Sequence, residues 1–146
     1  VITRTQLELA LSSYDDEQLA AVVIRTLPNT QEKHAYRYGE DGFPPFLTCE
    51  AIDYLVARKT HHLLVDFPSV DKMYDEGKLT VHHRFWNVEE NTHALTPDAR
   101  RFQTITELVF VPDTLSDGLY LVEIQIPAFM SDAAPSRPLL YVLEKC

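Results

Sequence analysis

Two short apolar runs in the first half of the chain predict buried strands. Leu19–Thr26 and His62–Phe67 are both rich in β-branched and aliphatic residues. Between them, apolar residues recur at helical spacing after Thr48, whose hydroxyl is a candidate N-cap. A strand, a helix and a second strand in this order predict a right-handed βαβ unit with parallel strands.

The predicted parallel pairing brings polar residues together at one edge of the sheet. Parallel strands end at the same edge, and loops beyond that edge are where α/β proteins usually build their sites. Arg25 and Thr26 end the first strand, whereas Asp66 and Ser69 follow the second. We therefore expect these four side chains to lie near one another.

Other segments complete an α/β pattern. Thr3 and Gln6 form a candidate capping box for a first helix, and Leu79–Asn87 is expected to be a short helix or turn. Asn29–Phe46 is a long polar and aromatic loop, which is either functional or a simple surface excursion. Three more apolar segments predict strands, with a tight turn at Asp117-Gly118 between the first two: Thr104–Val111, Leu119–Pro127 and Leu139–Leu143.

Length and charge narrow the class of protein. The 146 residues fit a single domain, residues 1–146, and the net charge of −9 disfavours nucleic acid and anionic membranes as partners. No apolar run is long enough to span a membrane, and the first residues lack a secretory signal pattern. The two cysteines form no metal or redox motif, so a cytoplasmic location is expected.

Glu107 is the carboxylate that stands out most. If Thr104–Val111 is a strand, Glu107 shares a face with Ile105 and Val109, and an unpaired carboxylate among apolar residues is unfavourable. A metal ion would compensate the charge. The alternative is a half-exposed glutamate on an edge strand, since the opposite face is apolar as well.

The segment from Asp66 to His83 carries further candidate chemistry. Asp66, Ser69 and Asp71 lie in one turn, and His82 and His83 follow. Imidazole and carboxylate groups are common ligands of zinc and manganese, and nearby polar groups can orient such ligands. The alternative is a turn stabilised by bonds between Asp or Ser side chains and the backbone.

These residues also carry a family resemblance. D-F-P-S-V-D (66–71), His82, I-T-E (105–107) and A-P-S-R-P (134–138) occur in the order seen in the cyclase family of metal-dependent hydrolases, which includes kynurenine formamidases and isatin hydrolases. A-V-V-I-R-T (21–26) is similar to the family's strand before the site. The resemblance implies the C-terminal portion of a swivelling β/β/α-type α/β domain with a mixed sheet.

The resemblance also implies a function. Family members hydrolyse an amide or related C–N bond through a metal-activated water, using zinc or manganese, and commonly form homodimers. On this chain His82 and Glu107 match two of the ligands. Asp66, Ser69, Asp71, His83 and Arg25 would then orient ligands or contact a small-molecule substrate, with an aromatic substrate as one option.

The family's other metal ligands belong to an H-x-G-T-H-x-D motif, which is absent from these 146 residues. We therefore expect the catalytic residue and the remaining ligands upstream of Val1. The competing hypothesis is a non-catalytic binding or assembly module on the same fold, because a fold does not fix a function.

Overall fold

The computed structural model describes residues 1–92 and 94–143, and the chain forms two compact units, Val1–Asp113 and Thr114–Cys146. Parallel strands lie in the first unit and antiparallel strands in the second. This arrangement of helices and two kinds of sheet confirms the predicted α/β class. The description of residues 1–146 as one cyclase-like domain stays a prediction.

The first unit is built on a three-stranded parallel sheet in the order β1-β2-β3. Register pairs Ala21 with His62 and His62 with Thr104, which confirms the predicted parallel βαβ unit. Its elements are α1 (Arg4–Leu11), β1 (Ala21–Ile24), a 3₁₀ turn (Gln31–Ala35), α2 (Cys49–Ala57), β2 (His62–Val65), α3 (Thr80–Trp86) and β3 (Thr104–Thr106).

Local sequence explains where α1 and α2 begin. Thr3 accepts a hydrogen bond from Gln6 N while the Gln6 side chain accepts from Thr3 N, which is the predicted capping box. Thr48 accepts from Ala51 N at the start of α2, also as predicted. Each cap satisfies a backbone N–H that the helix leaves unpaired.

The core of this unit joins residues of β1 and β2 with residues of all three helices, α1, α2 and α3. Leu63, Leu64 and Val65 are buried because β2 is the central strand, and Ile52 and Leu55 of α2 are equally buried. Each such side chain stabilises the fold by about 1.5–3 kcal/mol. This packing makes the carboxyl edge of β2 a rigid base for the residues that follow it.

The third strand is shorter than the sequence predicts. It ends at Thr106, and Leu108 has a left-handed backbone with a φ of 55°. The inference that Glu107 shares a strand face with Ile105 and Val109 is therefore wrong, because the alternation stops before Glu107. The backbone still follows β2, since Val109 N donates to Val65 O.

The second unit contains an antiparallel ribbon of β4 (Tyr120–Gln125) and β5 (Arg137–Val142). One face of the ribbon is apolar throughout and consists of Tyr120, Val122, Ile124, Pro138, Leu140 and Val142. The predicted tight turn between β3 and β4 at Asp117-Gly118 is not a hairpin turn, because these strands belong to different sheets.

Candidate functional site

The residues beyond the carboxyl edge of β2 form two polar clusters in the first unit. The first, the Asp66 cluster, consists of Asp66, Thr26, Asn29 and Lys33. The second, the His82 cluster, consists of Asp71, His82 and Glu107. Both arise from the turn 66–71, which places one aspartate at each end.

The Asp66 cluster is closed on itself. Asp66 Oδ2 accepts from Thr26 N at 2.6 Å, Asn29 Nδ2 at 2.7 Å and Lys33 Nζ at 2.7 Å, while Oδ1 accepts from Thr26 Oγ1 at 2.9 Å. The Asp66 side chain is 1% exposed and that of Lys33 is 15% exposed. A carboxylate with four donors and almost no solvent contact has little capacity left for a ligand.

The His82 cluster joins three elements. His82 Nδ1 lies 2.6 Å from Asp71 Oδ2, and His82 Nε2 lies 3.4 Å from Glu107 Oε1. Glu107 Oε1 also accepts a hydrogen bond from Val70 N at 2.9 Å. The side chains of His82 and Glu107 are 14% and 28% exposed. This cluster is therefore partly open to solvent, unlike the Asp66 cluster.

Asp71 orders the start of α3 as well as His82. Its two oxygens accept from Val81 N at 2.7 Å and His82 N at 3.2 Å, which supplies the first turn with a negative charge. Ser69 Oγ in turn accepts from Asp71 N at 3.1 Å. The Asp71 carboxylate thus fixes both the backbone and the ring of His82.

The protonation of His82 follows from these contacts. Burial favours the neutral ring, but the hydrogen bond to Asp71 and the nearby Glu107 carboxylate outweigh burial and raise the pKa of His82 to about 9. For Asp71, burial acts to raise the pKa, and the bonds from His82 and the helix backbone outweigh it and lower that pKa. Without a metal ion, His82 is accordingly a cation at neutral pH.

Two leucines beside this cluster have a left-handed backbone. Leu79, which precedes α3, has a φ of 49°, and Leu108, which follows Glu107, has a φ of 55°. A left-handed backbone costs a leucine about 1–2 kcal/mol, and such strain is common at functional sites.

The pair of His82 and Glu107 fits a metal ion in chemistry and spacing. Zinc–nitrogen and zinc–oxygen bonds of about 2.0–2.1 Å put two ligand atoms of a tetrahedral ion about 3.3 Å apart. The observed separation of 3.4 Å is close to this value and longer than an ordinary hydrogen bond. His82 Nδ1 donates to the Asp71 carboxylate, which leaves Nε2 for the ion, as in many zinc sites.

The pair does not form a complete site. Among residues 1–92 and 94–143, no group of three His, Cys, Asp or Glu side chains is arranged to hold a metal ion. Catalytic zinc sites normally use three protein ligands. The roles of His82 and Glu107 as ligands therefore stay predictions, although the structure brings the two side chains together.

The remaining candidate residues make hydrogen bonds with other groups. His83 Nδ1 is 2.8 Å from Glu89 O, and Arg25 Nη1 donates to Pro112 O at 2.8 Å. Thr26 contacts Asp66 as the predicted βαβ unit requires, whereas Ser69 bonds to Asp71. A shallow groove of about 410 Å³ in the second unit is lined by residues 125–127 and 135–137, none of which is a candidate.

Sequence reasoning missed Asn29 and Lys33, which close the Asp66 cluster from a loop. No motif marks them. Their spacing of four residues beside the 3₁₀ turn places both on one side of the loop, but only the fold shows that this side meets Asp66. Sequence reasoning also missed Arg100, whose guanidinium contacts α3.

One comparison with known proteins supports the resemblance, over just under half of the 146 residues. A family model described as putative cyclase matches residues 1–72, which include β1, α2, β2 and the turn 66–71. No curated protein matches the chain. Of the helices in the described ranges, none has the length and apolar character to cross a membrane.

Proposed function

With residues 1–72 assigned to the putative cyclase family, we propose that this protein is a metal-dependent hydrolase of an amide or related C–N bond. His82 and Glu107 are its proposed ligands for zinc or manganese. The observation that carries the proposal is the orientation of His82, whose Nδ1 is held by Asp71 while Nε2 lies 3.4 Å from Glu107 Oε1. A bound divalent ion would supply a Lewis acid and a water of lowered pKa.

Asp71 and Val70 hold the two proposed ligands in place. Asp71 fixes the ring orientation and the tautomer of His82, and it makes Nε2 a better ligand atom for a metal ion. Val70 N holds Glu107 Oε1 in place. The partial exposure of both ligands leaves an approach for a small molecule, and the acidic aspartate behind His82 favours a bound cation.

Two ligands do not complete such a site. The proposal therefore requires at least one further protein ligand, which the family resemblance assigns to an H-x-G-T-H-x-D motif. An aromatic small-molecule substrate remains one option within the proposal. A homodimer and a cytoplasmic location remain part of the proposal.

Metal binding by matched variants tests the proposal. We expect zinc affinity, measured by competition with a chromophoric chelator, to fall at least about tenfold in His82→Ala and in Glu107→Ala. His83→Ala is the control, because His83 bonds to Glu89 O rather than to Asp71. Equal affinities in all four proteins would contradict the proposal. Amide hydrolysis is then assayed in a protein that includes the upstream sequence.

The second candidate is a non-catalytic binding or assembly module. It is favoured by the lack of a third ligand within the described ranges and by the wholly apolar face of the ribbon. The sequence preceding Val1 discriminates between the two: an H-x-G-T-H-x-D motif there supports the hydrolase, and its absence supports the module.

A further inference from the structure

Helix α3 carries His82, yet the helix is too short to hold a shape by itself. It has seven residues, and isolated helices of fewer than about 12–15 residues are marginal in water. Its last four carbonyls have no partner within the helix. The position of His82 therefore depends on what satisfies the two ends of α3.

All four of these carbonyls receive donors from the chain that follows. Val88 N donates to His83 O at 2.9 Å, and Arg100 N donates to Trp86 O at 2.7 Å. The guanidinium of Arg100 donates from Nε to Phe85 O at 2.6 Å and from Nη2 to Arg84 O. One arginine thus donates to three of the four carbonyls, and Asn87 N also donates to one of these three, Arg84 O, at 3.3 Å.

We propose that Arg100 is a positioning residue that, through the carboxyl end of α3, aims His82 at Glu107. The charges at the two ends of α3 support this role, because the carboxylate of Asp71 binds the first turn and the guanidinium of Arg100 the last. Each charge opposes the partial charge of the helix end that it contacts. The helix is held between the two.

Arg100 also links α3 to the strand that leads to Glu107. The segment 98–103, which we call the cap segment, runs directly into β3. In it, Gln103 O accepts from Trp86 Nε1 at 2.9 Å, and Asp98 O accepts from Asn87 Nδ2 at 3.2 Å. Movement of the cap segment would therefore shift α3 relative to Glu107.

The contact from the cap segment to the His82 ring runs through Trp86. The centroids of the Trp86 and His82 rings are 5.4 Å apart. Trp86 is held at its backbone by Arg100 and at its indole by Gln103. The imidazole accordingly has the Asp71 carboxylate on one side and a fixed indole as a neighbour.

Arg101 provides a matched control. It adjoins Arg100 and carries the same charge, but it is exposed and lies 5.4 Å from the Phe102 ring centroid. Substituting either arginine by glutamine removes one positive charge, and only Arg100→Gln removes the two bonds from the guanidinium to α3.

The experiment compares Arg100→Gln, Arg100→Lys and Arg101→Gln by NMR under conditions where each is fully folded. In Arg100→Gln, we expect the amides of Phe85, Trp86 and Val88 to exchange about tenfold faster or more, while α2 amides keep their rates. The ring signals of His82 should shift and zinc affinity should fall about fivefold or more. Arg101→Gln should match the wild type.

Arg100→Lys keeps the cation and should recover part of the ring signal and of the zinc affinity, which a loss of general stability would not predict. If Arg100→Gln is too unstable to study, Arg100→Lys alone should show His82 ring signals that differ from those of the wild type and a zinc affinity that is lowered by less than about fivefold. Wild-type His82 signals in Arg100→Gln, or in Arg100→Lys where only that variant folds, would overturn the inference, as would equal shifts in Arg101→Gln.

The role of His82 as a ligand rests on the proposed function, but its positioning does not. Zinc binding that is unchanged in His82→Ala and in Glu107→Ala would make the proposed function fail, whereas the exchange rates and ring signals of the metal-free variants still decide the role of Arg100.

Discussion

Asp66 and Asp71 lie five positions apart in one turn and are both buried, but their surroundings differ in one respect. Asp66 meets backbone, amide, hydroxyl and ammonium donors that satisfy it fully. Asp71 meets His82, whose second nitrogen faces another carboxylate at 3.4 Å. The donors within the protein leave the first cluster little capacity for a ligand. The second cluster leaves His82 and Glu107 as a pair of groups suited to a cation.

The comparison of the two clusters gives a criterion that separates a structural polar cluster from a candidate site. Burial alone does not discriminate, because the two aspartates are 3% and 4% exposed. The two clusters differ in whether the hydrogen-bond network leaves a metal-ligating atom that points to a position open to a ligand. On this criterion the Asp66 cluster serves the fold and the His82 cluster serves the proposed chemistry.

The largest effect is expected from opening the closed cluster. Asp66→Ala leaves the ammonium of Lys33 and the amide of Asn29 without their shared partner, so the free energy of unfolding should fall by about 3–5 kcal/mol. Urea unfolding measures this loss. A fall of less than about 1 kcal/mol would show that the cluster is not a structural element.

The pH dependence of stability tests the charge on His82. Its folded pKa, about 9, lies above the ordinary value of 6.5, so its contribution is fully present below pH 6.5 and is lost as pH rises through 9. The free energy of unfolding should fall by at most about 3 kcal/mol over this interval. His82→Gln should flatten this part of the profile, and an unchanged profile in that variant would contradict the assignment.

The same charge predicts how metal affinity depends on pH. Only neutral imidazole binds a metal ion, so zinc must displace a proton from His82. Between pH 6.5 and 9, zinc affinity should rise up to about tenfold per pH unit, with about one proton released. Calorimetry in buffers of different ionisation enthalpy counts the protons, and a count near zero at pH 7.5 would mean that His82 is not a ligand.

Asp71→Asn sharpens the contrast between the two aspartates. Asparagine nearly preserves the shape but removes the charge that holds His82 Nδ1 and the start of α3, so zinc affinity should fall about 10–100-fold. Asp66→Asn is the paired control and should alter zinc affinity less than about threefold in the folded fraction, because Asp66 does not contact the pair. Equal losses of zinc affinity in Asp71→Asn and Asp66→Asn would contradict the distinction between the two clusters.

The smallest effect is expected at Ser69. Its hydroxyl accepts from Asp71 N at 3.1 Å, so Ser69→Ala should lower the free energy of unfolding by about 0.5–1.5 kcal/mol and leave zinc affinity nearly unchanged. Urea unfolding and the chelator competition measure the two effects. A large loss of affinity with unchanged stability would instead make Ser69 part of the metal or substrate site.

The sequence was sufficient to predict the first two strands of the parallel sheet and the contact between Thr26 and Asp66. β-branched runs around a capped helix predict β1, α2 and β2, and the parallel pairing brings Thr26 to Asp66. These features depend on local propensity and on strand handedness, which short segments encode.

The remaining features depend on contacts between distant segments. Leu108 adopts a left-handed backbone that no propensity favours, so the end of β3 and the position of Glu107 were not predictable. Lys33 closes the Asp66 cluster and Arg100 closes α3 from polar loops, where the pattern carries no periodic signal. The pairing of His82 with Glu107 came from the family resemblance rather than from the pattern.

A zinc titration of the protein with ¹⁵N-labelled histidine tests most directly whether the His82 cluster is part of a metal site. The titration is followed at the ring nitrogens. This measurement needs no complete site, because even weak binding shifts the nitrogen that the metal contacts. We predict that Nε2 of His82 shifts with zinc while the ring of His83 does not, and that Glu107→Ala abolishes the shift. A His82 signal that stays unchanged at saturating zinc would contradict the assignment of the His82 cluster as part of a metal site.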